Sequence, residues 1–295
     1  MSAAVLPPLE VSVPRRAEEA QSRLSRLNEA RLSPRLDGPA LSLEKEVELR
    51  KLERAFLEAE RAAVAERAAS APRDVEAFIS WFESLREFGP GQNDPLFPWL
   101  ATAANREEIG WFLSQEVAGE AGFDDLVALT QLRFPVRAKL EMARNYWDEM
   151  GRGKEPGMHG PMLDRLASDL RLESKSHEIA WEAVAIGNLL MGLAANREYA
   201  YHSVGALGAI ELTAPSRATH VSNGLERLGI PLRTRRYYAL HATLDVKHSI
   251  AWNEEVLKPL VRDDPRVALP IAEGALMRLN AGARCFARYR EVLGR

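Results

Sequence analysis

The sequence predicts an all-α fold. From residue 105 onward, apolar residues recur at helical spacing in segment after segment, with short Gly/Pro punctuation between them. No run of alternating apolar and polar residues reads as a strand, and Ala and Leu dominate over scattered Val and Ile. No internal period repeats, so the helices are expected to form a bundle rather than a solenoid.

Residues 1–40 are rich in Pro, Arg and Ser and show little periodicity. With the next segment they are expected to form an N-terminal arm over residues 1–70, partly disordered and partly helical. Within it, residues 42–70 place Leu43, Val47, Leu49, Leu52, Phe56 and Leu57 as a partial stripe in a highly charged background, the pattern of a solvated helix. The main domain is expected over residues 71–295. Asp74 is its first N-cap, ahead of Phe78, Trp81, Phe82 and Leu85 on one face. Pro and Gly residues between 89 and 98 break the chain. Helices are then expected over 105–121, 123–130, 135–149, 160–170, 176–196, 199–213, 215–228, 232–260 and 265–290.

Composition excludes several function classes. The 295 residues are 46% apolar and 27% charged, ordinary for a globular chain. Lys plus Arg is 39 against 42 for Asp plus Glu, so the basic excess of a general nucleic-acid binder is missing. No stretch approaches the roughly 18 apolar residues of a membrane span. The first residues lack a basic segment followed by an apolar one, which points to the cytoplasm rather than secretion. Cys285, the single cysteine, leaves no internal disulfide and no thiolate metal cluster.

The sharpest local signal is HATLDVKH. His241, Asp245 and His248 are spaced i, i+4, i+7, so they share one helical face beside Leu240, Leu244 and Ile250. Ligand-type side chains on a buried face are costly unless paired, and two imidazoles with a carboxylate suit Fe, Mn or Zn. Glu149 ends a predicted helix whose apolar face holds Leu140, Ala143 and Tyr146 or Trp147. A Gly-rich loop follows and His159 opens the next helix, so the two converge if the loop folds back. Glu211 is the single acidic residue between Tyr201 and Pro215, among Val204, Leu207, Ile210 and Leu212. Glu116 follows Trp111, Phe112 and Leu113, with Glu120 competing one turn later. Four carboxylates and three histidines are too many for one metal ion and suit two, with open positions for dioxygen.

The order and spacing of these residues resemble the haem-oxygenase-like diiron oxidases and oxygenases, the iron-containing redox enzyme family. The likeness covers roughly residues 75–290. It implies a haem-oxygenase-like helical bundle and a metal set of Glu116, Glu149, His159, Glu211, His241, Asp245 and His248. It also implies two Fe ions, or a Mn/Fe pair, with dioxygen as co-substrate. The expected reaction is N-oxygenation or oxidative C–C cleavage of a small amine, guanidine or amino-acid-like substrate. An external electron donor and a homodimer are compatible with it; nucleic acid and membrane are not expected partners.

Other readings have their own signatures. Haem degradation needs a proximal His on the first core helix, and neither 75–90 nor 105–121 contains a His. A metal-free thiaminase-like or quinone-cofactor-synthesis-like protein needs a nucleophilic Cys or a substrate-binding His cluster. A non-enzymatic helical scaffold would bind no stoichiometric iron. Tyr237 and Tyr238 read as core or pocket wall, and Arg197, among Tyr199, Tyr201 and His202, as a candidate partner for a substrate carboxylate. Arg233, Arg235 and Arg236 read as a solvated helix start. His177 and His220 have no partner by spacing.

Overall fold

The computed structural model describes residues 12–39, 41–172 and 179–295, and among these there is no strand beyond one isolated bridge. His177, the first residues of the arm and the start of the predicted 176–196 helix lie outside the described residues. In chain order the helices are α1 Ser12–Leu32, α2 Leu43–Ala69, α3 Val75–Phe88, α4 Leu96–Thr102, α5 Arg106–Gly119, α6 Phe123–Thr130 and α7 Val136–Glu149. They continue as α8 His159–Leu170, α9 Trp181–Ala195, α10 Ala200–Arg227, α11 Leu232–Ala251, α12 Lys258–Asp263 and α13 Ala268–Leu293. No helix among the described residues is long and apolar enough to cross a membrane.

Helix α10 is the axis of the bundle, packed against α11, α13, α4, α9 and α3. Its contact with α13 is backbone on backbone. A Cβ on Gly205 would lie 1.9 Å from the Ile271 carbonyl oxygen, and one on Gly274 would lie 1.9 Å from that of His202. Glycine is therefore required at this crossing. The sequence breaks α10 at Pro215, yet the helix runs through it. Pro215 has no N–H for the Glu211 carbonyl, so one rung of the ladder is lost. Leu212, Thr213, Ala218, Val221 and Leu225 are buried on either side, and their packing carries the helix across the gap.

The opposite happens in the predicted 232–260 helix. Helix α11 gives way at Trp252–Leu257 to a π-helical turn, in which the Lys258 N–H bonds the Asn253 carbonyl five residues back. Pro259 beyond it has no N–H to give. Trp252, wholly buried, donates its indole N–H to the Val204 carbonyl at 3.2 Å and pins the widened turn to α10.

Where the sequence shows little periodicity, α1 forms and docks on α9. Leu24 and Leu27 are buried, Asn28 donates to Asn188 at 3.1 Å, and Asn188 donates to the side chain and carbonyl of Gln21 at 2.9 Å. Helix α2 is rotated from the expected stripe. Leu43 and Val47 are exposed, while Leu49, Glu53, Leu57, Glu60 and Val64 face inward. Its buried acids hold it down: Arg31 pairs with Glu53 at 2.7 Å and Arg284 forks onto Glu60 at 2.8 and 2.9 Å. Asp74 caps α3 as expected, accepting from the Ala77 N–H. Helix α7 also corrects the expected face, because Leu140 and Trp147 are exposed and Ala138, Met142, Asn145 and Glu149 are buried.

Candidate metal centre

Two apolar clusters fill the bundle. One centres on α3, α9, α10 and α13, the other on α4, α5, α8 and the end of α13. A cavity of about 160 Å³ lies where they meet, with Leu126 and Leu190 of the first and Phe97, Phe112 and Val221 of the second in its wall. Glu149, Glu211, His241 and Asp245 face this cavity.

The residues arrive in two groups. Glu149, His159 and His241 offer ligand atoms all within 4.8 Å of one another, and so do Glu211, Asp245 and His248. Glu149 ends α7 and His159 begins α8. The loop between them folds back, closed by an antiparallel bridge between Met150 and Met158. Gly151 makes this closure: its φ is +60°, and a Cβ there would lie 2.3 Å from the Gly157 carbonyl carbon. Trp147, exposed on one side, lies against Gly153 on the other and covers the loop. His241, Asp245 and His248 share the inner face of α11, and Glu211 comes from the middle of α10.

Neighbouring groups set which atoms point inward. His241 Nδ1 lies 2.7 Å from the Tyr237 carbonyl, which accepts its proton and leaves Nε2 with a free lone pair. His248 lies between two carboxylates, its Nε2 3.2 Å from Asp148 Oδ2 and its Nδ1 3.5 Å from Glu211 Oε2. Asn145 donates to Glu211 Oε1 at 2.6 Å. His159 Nδ1 stands 2.6 Å from Glu149 Oε2, and its ring is edge-on to that of His241 with centroids 4.6 Å apart.

Burial and the mutual repulsion of carboxylates set the electrostatics of the site. Desolvation, then Glu211, pushes the Glu149 carboxyl well above the usual range, with Glu120 and Asp124 adding to it. Desolvation, Glu211 and Glu149 do the same to Asp245. Desolvation lowers His159 and His241 to about 4, so both rings are neutral at pH 7. Against its own desolvation, Glu211 and Asp148 hold His248 up at about 9.

These residues fit a metal. His159 Nδ1, Asp245 Oδ1 and His248 Nδ1 are buried polar atoms without an aligned hydrogen bond among the described residues, although the two imidazole nitrogens lie 2.6 and 3.5 Å from carboxylate oxygens of Glu149 and Glu211. Such atoms are rare because each costs the desolvation it is not repaid for. Here three of them fall in the two groups that already have metal-ligand composition and separation. A pair of divalent cations would satisfy all three and neutralise the buried carboxylates.

The chain matches the family model described as iron-containing redox enzyme over residues 110–283, more than half its length. It belongs to that family. The match spans all six converging residues and all of α10 and α11. Membership makes the protein a haem-oxygenase-like, all-α member of a redox-enzyme family, and an oxidoreductase at that level of description. No curated protein matches the chain.

Glu116, the first-helix ligand expected from the sequence, is in neither group. It faces the same cavity, but its neighbours are Arg217, Arg278 and the Tyr289 hydroxyl, which donates to Oε1 at a long 3.5 Å. Glu120 is the acid of α5's end that acts on Glu149. It is the C-cap, where the backbone leaves the helix. Its Oε1 accepts from the N–H groups of Ala121 and Gly122, and the surface it keeps lines the cavity. Arg197, the candidate for a substrate carboxylate, is tied to the Thr130 carbonyl at 3.0 Å and lies over the Phe134 ring. Tyr237 and Tyr238 are pocket wall. Asp148, Asn145, Arg217 and Arg278 went unnoticed in the sequence. The two arginines did leave a signal, each being the lone charge of an apolar stretch, Ala214–Ala218 and Gly274–Leu279.

Proposed function

We propose that this chain is a non-haem diiron oxidase or oxygenase acting on a small amine, guanidine or amino-acid-like molecule. One iron is assigned to Glu149, His159 and His241, and the other to Glu211, Asp245 and His248. The observation that carries the reading is the pair of ligand-type groups, four of whose six residues line one cavity, with three buried polar atoms that make no aligned hydrogen bond. Bound iron would supply electrons to dioxygen and so the oxidising power for N-oxygenation or C–C cleavage.

The protein's own part is positioning and exclusion. The Tyr237 carbonyl and Asp148 fix the orientation and tautomer of His241 and His248, so each presents one defined nitrogen. Asn145 occupies one oxygen of Glu211 and leaves the other for metal. Phe112, Leu126, Leu190 and Ile210 line the remaining space and keep bulk water from competing with the substrate. A thiaminase-like reading on the same fold is disfavoured, because burial pushes the Cys285 thiol far above its ordinary value and leaves it no thiolate.

The reading is tested by oxygen uptake. Protein loaded anaerobically with Fe(II), then mixed with aerated buffer, should consume dioxygen faster when a small amine, guanidine or amino acid is added. Protein that retains its iron and consumes no dioxygen with any of them would overturn the assignment.

A further inference from the structure

The cavity has a second polar end. Arg217 on α10, Arg278 on α13 and Glu116 on α5 face it together, beside Tyr289. Arg217 donates to Thr213 Oγ1 at 3.0 Å and lies over the Phe286 ring, 5.7 Å from its centroid. No carboxylate comes within ion-pair distance of it among the described residues. Arg278 has neither a hydrogen bond nor an ion pair among the described residues, and its Nε is buried without a partner. Desolvation lowers both guanidinium groups, Arg217 to about 10, which still leaves it charged at pH 7. Two cations thus face the cavity without an ion pair, Glu116 acting on both at longer range, Asp245 on Arg217 and Glu120 on Arg278. A buried guanidinium without a partner is expensive, and a planar, forked donor suits a carboxylate.

We propose that Arg217 and Arg278 seat the carboxylate of the substrate, so that the acid group points away from the metal groups and the reacting atom points toward them. This rests on the oxidoreductase reading above and narrows it to substrates that carry a carboxylic acid; simple amines and guanidines lack the anchoring group. Arg217 lies six positions beyond Glu211 on α10, roughly 9 Å of helix rise. Ala214 lies between them on α10, and the cavity wall about them is apolar, with Ile210, Ala218 and Val221 on the same helix and Phe112 on α5. The substrate that fits is a compact acid with an apolar body, its carboxylate on the two arginines and its far end at the metal groups. Glu116 has a defined part in this arrangement. It is the acid that acts on both arginines in the absence of substrate, and among the described residues it forms an ion pair with neither, so both forks remain open to an incoming acid.

The test is binding, read without turnover. Butyrate, hexanoate and octanoate, each beside its primary amide, are titrated into the full chain by calorimetry, both iron-free and loaded with Fe(II) in the absence of oxygen. At least one acid should bind tenfold or more tightly than its amide in both states. Arg217→Gln and Arg278→Gln should each remove that preference and leave amide binding and iron stoichiometry unchanged; Arg278→Lys should keep part of it. Melting curves check that each variant is folded, and the acid-to-amide comparison on the unaltered chain needs no variant. Acids binding no better than their amides, no acid binding at all, or a preference that survives both Gln variants would overturn the proposal. Iron binding without acid preference sinks the anchor alone. Acid preference without iron binding sinks the oxidoreductase reading alone.

Discussion

His248 on α11 and Asp148 on α7 are joined by a 3.2 Å contact between Nε2 and Oδ2, and Asp148 is the residue before Glu149. The two metal groups are thereby coupled: the acid that orients a histidine of one group sits next in the chain to a carboxylate of the other. Arg152 holds the second oxygen of Asp148 at 2.6 Å. Desolvation raises Asp148, but its bonds to Arg152 and His248 outweigh this and keep its carboxyl low.

Asp148→Asn should therefore weaken iron binding without unfolding the chain. Loss of such a partner costs metal affinity about 10–100-fold. Competition with a chelator of known affinity measures it, and an unchanged iron affinity would show that His248 does not need this contact.

The buried acids should destabilise the iron-free protein. Asp245→Asn removes one of several like charges packed beside Glu211 and Glu149, so it should raise the melting temperature of the iron-free form while abolishing turnover. His248→Ala should also abolish turnover, by removing a nitrogen from the second group. A lower melting point for iron-free Asp245→Asn would mean that the carboxylate is satisfied in the absence of metal.

The first-helix carboxylate is separable by substitution. Glu120→Gln should weaken iron binding, because Glu120 acts electrostatically on Glu149. Glu116→Gln should leave iron stoichiometry intact, because Glu116 faces Arg217 and Arg278 instead. Iron lost from Glu116→Gln and kept by Glu120→Gln would restore Glu116 as the ligand.

Stability of the iron-free protein should fall as pH rises from about 7.5 to about 9. His248 is held at about 9 when folded against 6.5 unfolded, and Glu149 and Asp245 are also raised, so each binds its proton more tightly in the folded state. Such groups give their stability in full below the unfolded value and lose it as pH passes through the folded one. His159 and His241, lowered to about 4, oppose the trend until their unfolded rings, with an ordinary value of 6.5, have lost their protons, which sets the lower end of the window. Urea melts at the two ends of the window check it. Loading with iron should flatten the slope, and His248→Gln should reduce it.

The parts of the site readable in the sequence were those fixed by local geometry. The i, i+4, i+7 spacing of His241, Asp245 and His248 puts them on one face whatever surrounds the helix. Glu149 and His159 could be paired only on the condition that the glycine-rich loop between them folds back, which the bridge between Met150 and Met158 meets. Choosing between Glu116 and Glu120 was different. Both are acids one turn apart, and the choice depends on where α5 ends and how it rolls against α9, which only packing decides. The same limit hid Arg217 and Arg278, which meet across α10 and α13 from positions 61 residues apart. It also misplaced the inner faces of α2 and α7, where buried acids and an exposed Trp147 break the rule that apolar residues turn inward.

The most direct measurement is an anaerobic titration of the iron-free chain with Fe(II), followed by metal analysis after gel filtration. The account predicts two iron ions per chain, reduced to one or fewer by His241→Ala or His248→Ala in a folded protein. A native chain that saturates below one iron, or histidine variants that still hold two, would contradict it.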